Sequence, residues 1–388
     1  MASSALDALV ACAKAIQDEN LTLADSLLER IWNLAADQSC PERSDVVKYF
    51  AEALVRRAYG ISSASAYFTL LTPSPINFLH NFSCDAINTA CMGKKRLHLI
   101  TFLFRPLCYW RYLFRSLANA SGDFLSVRVS VIVSPFLEKI VKFQQEKSKH
   151  DLTTAAMERG IKLEDLRVVY ANSLGDVDAS KADFTRTTDE AVIVYYHCKL
   201  HQLLADARVM ERELLKLRQI NPEIVIIEEQ YADHNDSNFI KRLEKSFQYY
   251  FNFLEFYEFM YCRPQIVNIV GCEGTDRLER HQTLAQWRSL LRANGLLPVP
   301  LAPDIGSGDI EDNGCVVFQN DDGLLHFTSA WKLTDAVDHF NPISYNPIQG
   351  FNPNPALEDT VRTLQVDRQD PESLTASRQK MPIARRPH

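Results

Sequence analysis

Residues 266–295 read IVNIVGCEGTDRLERHQTLAQWRSLLRANG, and their reading decides the fold. The opening run, IVNIV, is short and uncharged, as a buried strand is. The following residues predict a helix carrying Arg277, Glu279 and Arg280, with Leu284, Trp287 and Leu291 on one apolar face. Gly295 fits a glycine that closes a helix. A strand feeding an amphipathic helix is the repeating unit of α/β proteins.

The same alternation runs backwards through the chain. Short apolar runs at 97–102, 127–133, 166–170, 191–195 and 223–227 are separated by helical stretches. Such spacing predicts a mainly parallel sheet covered by helices. Near the end, 315–319 and 324–329 flank Asn320-Asp321-Asp322-Gly323, a good hairpin turn. A parallel sheet with a late antiparallel hairpin is the methyltransferase-type variant of the Rossmann-like α/β architecture. Before it, residues 5–59 place Leu6, Leu9, Val10, Ala13 and Ile16, then Leu23, Leu27, Leu28, Ile31 and Leu34, at helical spacing. Asn20 and Thr22 separate the two helices. The expected organisation is therefore an N-terminal α-helical cap over about 1–92, an α/β core over 93–333, and a disordered, proline-rich tail over 334–388.

Composition bounds the function. A chain of 388 residues, 46% hydrophobic and 23% charged, buries a large core. A net charge of −7 disfavours direct binding to duplex DNA, which needs a concentrated basic surface. Nine scattered cysteines without close pairs read as free intracellular thiols. The first residues do not read as a signal peptide, and none is expected. The most hydrophobic stretch, 97–117, contains Arg105, Arg111 and Arg115 and does not suit a membrane span. Lys94-Lys95-Arg96 and Arg385-Arg386 are short basic clusters that read as surface charge.

Chemical motifs are sparse. After residues 97–102 the chain reads LFRPLCYW, without the glycines a nucleotide-type cofactor needs at the first strand end. No GxGxxG, GxxxxGK[ST] or GxSxG occurs. His197 and His201 stand four apart, as two zinc ligands on one helix face would, but lack the glutamate of HExxH. His201 reads better as a residue bordering the core. Glu228-Glu229 end an apolar strand, where catalytic acids sit in some enzymes; salt bridges or helix termini account for them more simply. No catalytic residue, cofactor or metal is expected.

Several motifs in order carry a family resemblance. CEGTDRLERHQTLAQW at 272–287, followed by the Trp287-to-Gly295 spacing, resembles the CEG-x-x-R-x-E-R and W-x7-G segments of the GRAS family of plant transcriptional regulators. The wording is most similar to the DELLA subgroup. Residues 6–57 resemble its first leucine-rich region. Leu97-His98-Leu99-Ile100-Thr101 stands at the VHIID motif, with Thr101 in place of aspartate. Residues 171–178 and the LxxLL of Leu200, Leu203 and Leu204 resemble the second leucine-rich region. Pro222, Phe247, Tyr249, Arg277 and Glu279 fall at the PFYRE motif, and Ser329-Ala330-Trp331-Lys332-Leu333 at the SAW motif.

The resemblance implies a nuclear, non-enzymatic co-regulator that binds transcription factors, zinc-finger proteins among them, and represses gibberellin-responsive growth. It also implies homo- or hetero-dimers with other GRAS proteins. Positions 97–101, Leu200, Leu203 and Leu204 are the implied partner-binding motifs. Read as a complete chain, the sequence lacks the N-terminal segment that the hormone receptor recognises, and insensitivity to gibberellin-triggered turnover is expected. Two alternatives stay open: a methyltransferase-like small-molecule enzyme, and a divergent interfering paralogue whose VHIID surface is altered at Thr101 and Leu107.

Overall fold

The computed structural model describes residues 2–38, 40–60, 80–102, 107–120, 126–178, 180, 182–252, 262–301, 310–311, 315–320 and 323–334. Beyond Thr334, the expected tail lies outside the described residues. So do the turn at 72–76 and the loop tip at 321–322.

Three helices come first: α1 (Ala2–Gln17), α2 (Leu21–Ala36) and α3 (Pro41–Ala58). Asn20 caps α2, its Oδ1 accepting the Leu23 amide at 3.1 Å and satisfying a donor that the first turn leaves unpaired. Thr22 lies inside α2 rather than in the break. Pro41 opens α3, where its missing N–H is no loss. Next come α4 (His80–Cys91), β1 (Arg96–Phe102), α5 (Leu107–Ala120), β2 (Ser126–Val133), α6 (Glu138–Met157) and β3 (Lys162–Tyr170). They are followed by β4 (Glu190–His197), the single-turn α7 (Leu200–Leu203), α8 (Ala207–Ile220) and β5 (Ile224–Gln230). The last elements are α9 (Phe239–Asn252), α10 (Cys262–Gly271), α11 (Leu284–Ala293), β6 (Leu296–Val299), β7 (Ile310–Glu311), β8 (Cys315–Asn320) and β9 (Gly323–Leu333).

The sheet order is β3-β2-β1-β4-β5-β9-β8-β7, with β6 also paired to β9. Strands β1 to β5 are parallel; β9 runs antiparallel to β5 and forms a hairpin with β8. This is the methyltransferase-type Rossmann-like sheet that the apolar runs predict. Strand periodicity divides its side chains. On one face Leu97, Leu99, Ile193, Tyr195 and Ile226 pack under α4, α5 and α6. On the other, Ile100, Phe102, Val194, Tyr196 and Ile227 pack under α7, α8 and α11.

The helical cap draws on both ends of the sequence. Leu9, Ile31, Phe50 and Leu54 from α1–α3 share one core with Phe247 of α9 and Ile266 and Ile269 of α10. Here the strand expected at 266–270 is corrected: IVNIV is the body of α10. Every residue from Gln265 to Val270 is buried, and a run buried all round carries no period to tell helix from strand. The helix expected to carry Arg277, Glu279 and Arg280 is corrected too. Residues 277–283 are irregular, and α11 starts only at Leu284. Thr283 and Gln286 form a capping box that fixes this start. Gly295 follows α11 with φ +72°, the left-handed conformation expected of it.

One glycine sets how closely α8 approaches the turn Leu174–Asp176 that follows β3. A Cβ on Gly175 would lie 2.6 Å from the Arg212 carbonyl carbon and 2.7 Å from the Glu213 nitrogen. The Gly175 amide donates to Glu213 Oε2 at 2.7 Å, so the second leucine-rich segment is pinned to α8 through a buried carboxylate.

Candidate functional site

The densest group of polar side chains lies where β4 and β5 end, in the crevice where open α/β sheets hold ligands. The strand pleat sends its two acids to opposite faces. Glu228 meets Tyr195, whose hydroxyl donates to Oε2 at 2.5 Å, and the Nδ1 of His197. Thr328 of β9 donates to the other oxygen at 3.4 Å. His326 is buried beside this group; burial takes its pKa down to about 3 against the pull of the Glu228 charge.

Glu229 faces α7. Its Oε1 accepts the His201 amide at 3.1 Å, and its Oε2 lies 2.6 Å from His201 Nδ1. The opposite ring nitrogen, Nε2, is 3.1 Å from Glu279 Oε2. Burial opposes charge on His201, but the flanking Glu229 and Glu279 outweigh it and lift the pKa to about 10. Burial likewise opposes charge on Glu279, and His201 and His281 overcome it, holding the carboxyl far below its ordinary range. His281 stacks on His201 with ring centroids 4.2 Å apart. Its own pKa is lowered, first by burial and then by the His201 charge.

Residues 277–283 reach this place without secondary structure because side chains hold their backbone. Asn268 of α10 accepts the amides of Leu278 and Glu279 at 2.7 and 2.8 Å and donates to the Asp276 carbonyl at 2.9 Å. Arg277 is buried and donates to the His234 carbonyl at 3.0 Å. Three backbone–side-chain bonds to one buried amide explain a polar residue among the apolar residues 266–270 of α10.

The structure gathers some of the motif residues and separates others. Glu279 meets the Leu200–Leu204 turn through His201 beside the end of β5, and Arg277 is held by His234 and Asn235. Trp287, Trp331, Leu200, Leu203 and Leu204 share one core. Ser329 Oγ accepts the Trp331 indole N–H at 2.9 Å, and Ala330 pairs with Ile226 across the β5–β9 ladder. Pro222 is buried at the start of β5, about 20 Å from Glu229 along the strand. Leu97, His98, Leu99, Ile100 and Thr101 are buried in the central strand. His98 binds Ser130 Oγ at 2.8 Å, and burial pulls its pKa down to about 3. Leu200, Leu203 and Leu204 are buried as well.

His197 and His201 do not share a helix face: one ends β4 and the other lies in α7. The sequence reading did not single out His234, His281 or Glu213. For His281 the signal was present, two residues from Glu279 in the ERH triplet.

The GRAS domain family model matches residues 5–309. The chain belongs to the GRAS family. Curated relatives include DELLA protein GAI of Solanum lycopersicum, 34% identical over 84% of this chain and 63% of that protein. DELLA protein 2 of Medicago truncatula is 34% identical over 84% of this chain and 67% of its own length. DELLA protein RGA of Arabidopsis thaliana is 34% identical over 85% and 62%. This GRAS chain thus spans a little under two thirds of GAI and RGA. The crystal structure of SCL7 from Oryza sativa superposes with a TM-score of 0.67 at 21% identity, covering 84% of this chain and 99% of that one. It shares the fold.

Proposed function

We propose that this DELLA-like GRAS chain is a nuclear transcriptional co-regulator. It binds DNA-binding transcription factors, zinc-finger proteins among them, and represses gibberellin-responsive growth without catalysis or direct DNA contact. The observation that carries the reading, beside family membership, is the engagement of the described acids at the ends of β4 and β5 by neighbouring side chains. There Glu228 is engaged by Tyr195 and His197 and Glu229 by His201, which supports a packing role for acids at the strand ends that serve ligands elsewhere in this fold.

Partner contact then falls to surface positions on the covering helices. Leu23 and Trp32 of α2 are 47% and 45% exposed, and Phe143 of α6 is 90% exposed. Large apolar side chains left in water are docking candidates when they cluster. Phe143 and the exposed Ile140, one turn before it, form such a cluster and are the candidate contact for a transcription factor; Leu23 and Trp32, nine residues apart, fall on opposite sides of α2.

The test is a pull-down of the purified full chain with zinc-finger transcription factors. Retention by wild type, lost in F143S at unchanged thermal stability, supports the reading. Failure of the folded chain to retain any such factor, together with calorimetric binding of a methyl donor, would sink it in favour of an enzyme.

A further inference from the structure

Helix α6 buries one side and leaves large apolar side chains on the other. Val141, Leu152, Ala155 and Ala156 pack into the core with Leu113 and Phe114 of α5. Phe143 stands about 180° round the helix from Leu152 and is 90% exposed. Ile140, one turn before it, is 43% exposed, and Phe136 of the preceding 3-10 turn is 55% exposed. These side chains add nothing to the core. The charges around them have a sign. Lys139 and Lys147 flank Phe143 one turn before and one turn after it, and both are exposed. On α5, packed beside α6, Arg111 and Arg115 are exposed too. The two helices hold four lysines and two arginines against three acids, in a chain whose net charge is −7. An apolar stripe rimmed by positive charge selects a partner that is apolar at its centre and acidic at its rim.

We propose that this face of α6 docks an acidic amphipathic helix of a partner protein, with apolar side chains on Ile140 and Phe143 and carboxylates on Lys139 and Lys147. The inference rests on the reading of Phe143 and Ile140 as a partner contact and adds the chemistry of the segment that covers them. Phe136, Ile140 and Phe143 follow the i, i+4, i+7 spacing by which helices meet, a span of about 10 Å or two turns. Modules that contact DNA are themselves basic. Lys139 and Lys147 repel such a module, so the docked segment lies outside it and leaves it free for DNA. Glu146, three residues from Phe143, is exposed on the same side. A continuous anionic surface, whether membrane or duplex, meets that acid with repulsion; a helix can set its carboxylates over the lysines and away from Glu146.

The test is fluorescence anisotropy of the full chain with a labelled helical peptide of about four turns, carrying Leu and Phe at the i, i+4, i+7 positions and Glu and Ala elsewhere. A second peptide replaces every Glu by Lys. The acidic peptide is expected to bind with a Kd of about 10 μM, and the basic one at least about tenfold more weakly. F143S, and separately the double variant K139E/K147E, should each weaken the acidic peptide by about tenfold or more at wild-type circular dichroism. Should F143S fail to fold, the charge reversal decides. Equal affinity for the two peptides, or acidic-peptide binding untouched by either variant, overturns the proposal. So does no binding at about 1 mM peptide. Binding of phosphatidylserine vesicles or of duplex DNA that F143S abolishes, without peptide binding, assigns the face to another class of partner and overturns it as well. A chain that retains zinc-finger factors through Phe143 but ignores the acidic peptide loses this inference alone. A chain that binds the peptide but retains no such factor keeps it and loses the zinc-finger reading.

Discussion

Leu203→Ala separates two roles that an LxxLL sequence leaves mixed. Leu203 is 4% exposed and packs in the core that also holds Leu200, Met210 and Trp287. Alanine removes three buried carbons, about 2.4 kcal/mol at about 0.8 kcal/mol each. The cavity left behind raises the loss to about 3–4 kcal/mol, because neighbours on two helices and the sheet relax only in part. For a cooperative unit of about 300 residues that is a fall in Tm of about 5 °C. Thermal melts followed by circular dichroism give the stability; a pull-down below the lowered Tm, normalised to folded protein, gives the binding. The expected result is a lower Tm with wild-type retention of transcription factor per folded molecule. An unchanged Tm with lost retention would refute the reasoning, since the leucine would then be a surface contact.

Further outcomes follow from particular contacts. Gly175→Ala sets a Cβ against Arg212 and Glu213 backbone at 2.6–2.7 Å; α8 must shift, and chemical denaturation should show a loss of about 1–3 kcal/mol. Thr101→Val should be neutral or stabilising by about 1 kcal/mol in the same assay, because the buried Thr101 hydroxyl has no hydrogen-bond partner among the described residues. Burial raises the Glu213 pKa to about 7 against the Tyr196 hydroxyl and the Gly175 amide. The folded chain therefore holds a proton that the unfolded chain releases near pH 4.5, and this group costs stability progressively from about pH 4.5 to 7. Glu213→Gln mimics the protonated acid, so its Tm should gain on wild type across that window and hold a constant difference above it; a pH-independent difference would contradict the assignment.

Much of this fold is legible along the chain because sheet pairing leaves a local mark. Apolar runs with β-branched residues gave β1 and β2 to within a residue and β4 and β5 without their last two or three residues, and Asn320-Asp321-Asp322-Gly323 gave the β8–β9 hairpin. Gly295 was readable because a left-handed residue after a helix favours one side chain above all others. The core position of His201 was also readable, from its place in the LxxLL turn. By contrast, α10 was not: its apolar residues are enclosed on every side by α3, α9 and the 277–283 segment, so periodicity vanishes where burial is complete.

The sequence by itself therefore determined the family, the sheet with its late hairpin, and the helical cap at the N-terminus, since each is written in spacing over a few residues. Only the tertiary structure decided that α9 and α10 complete that cap, that Glu228 and Glu229 turn to opposite faces, and that His201 meets Glu279 across 78 residues of chain. Local pattern reports which side of an element is buried. It holds no information on which distant element arrives to bury it, and a charge-bearing cluster built from β5, α7 and an irregular segment exists only once all three are packed.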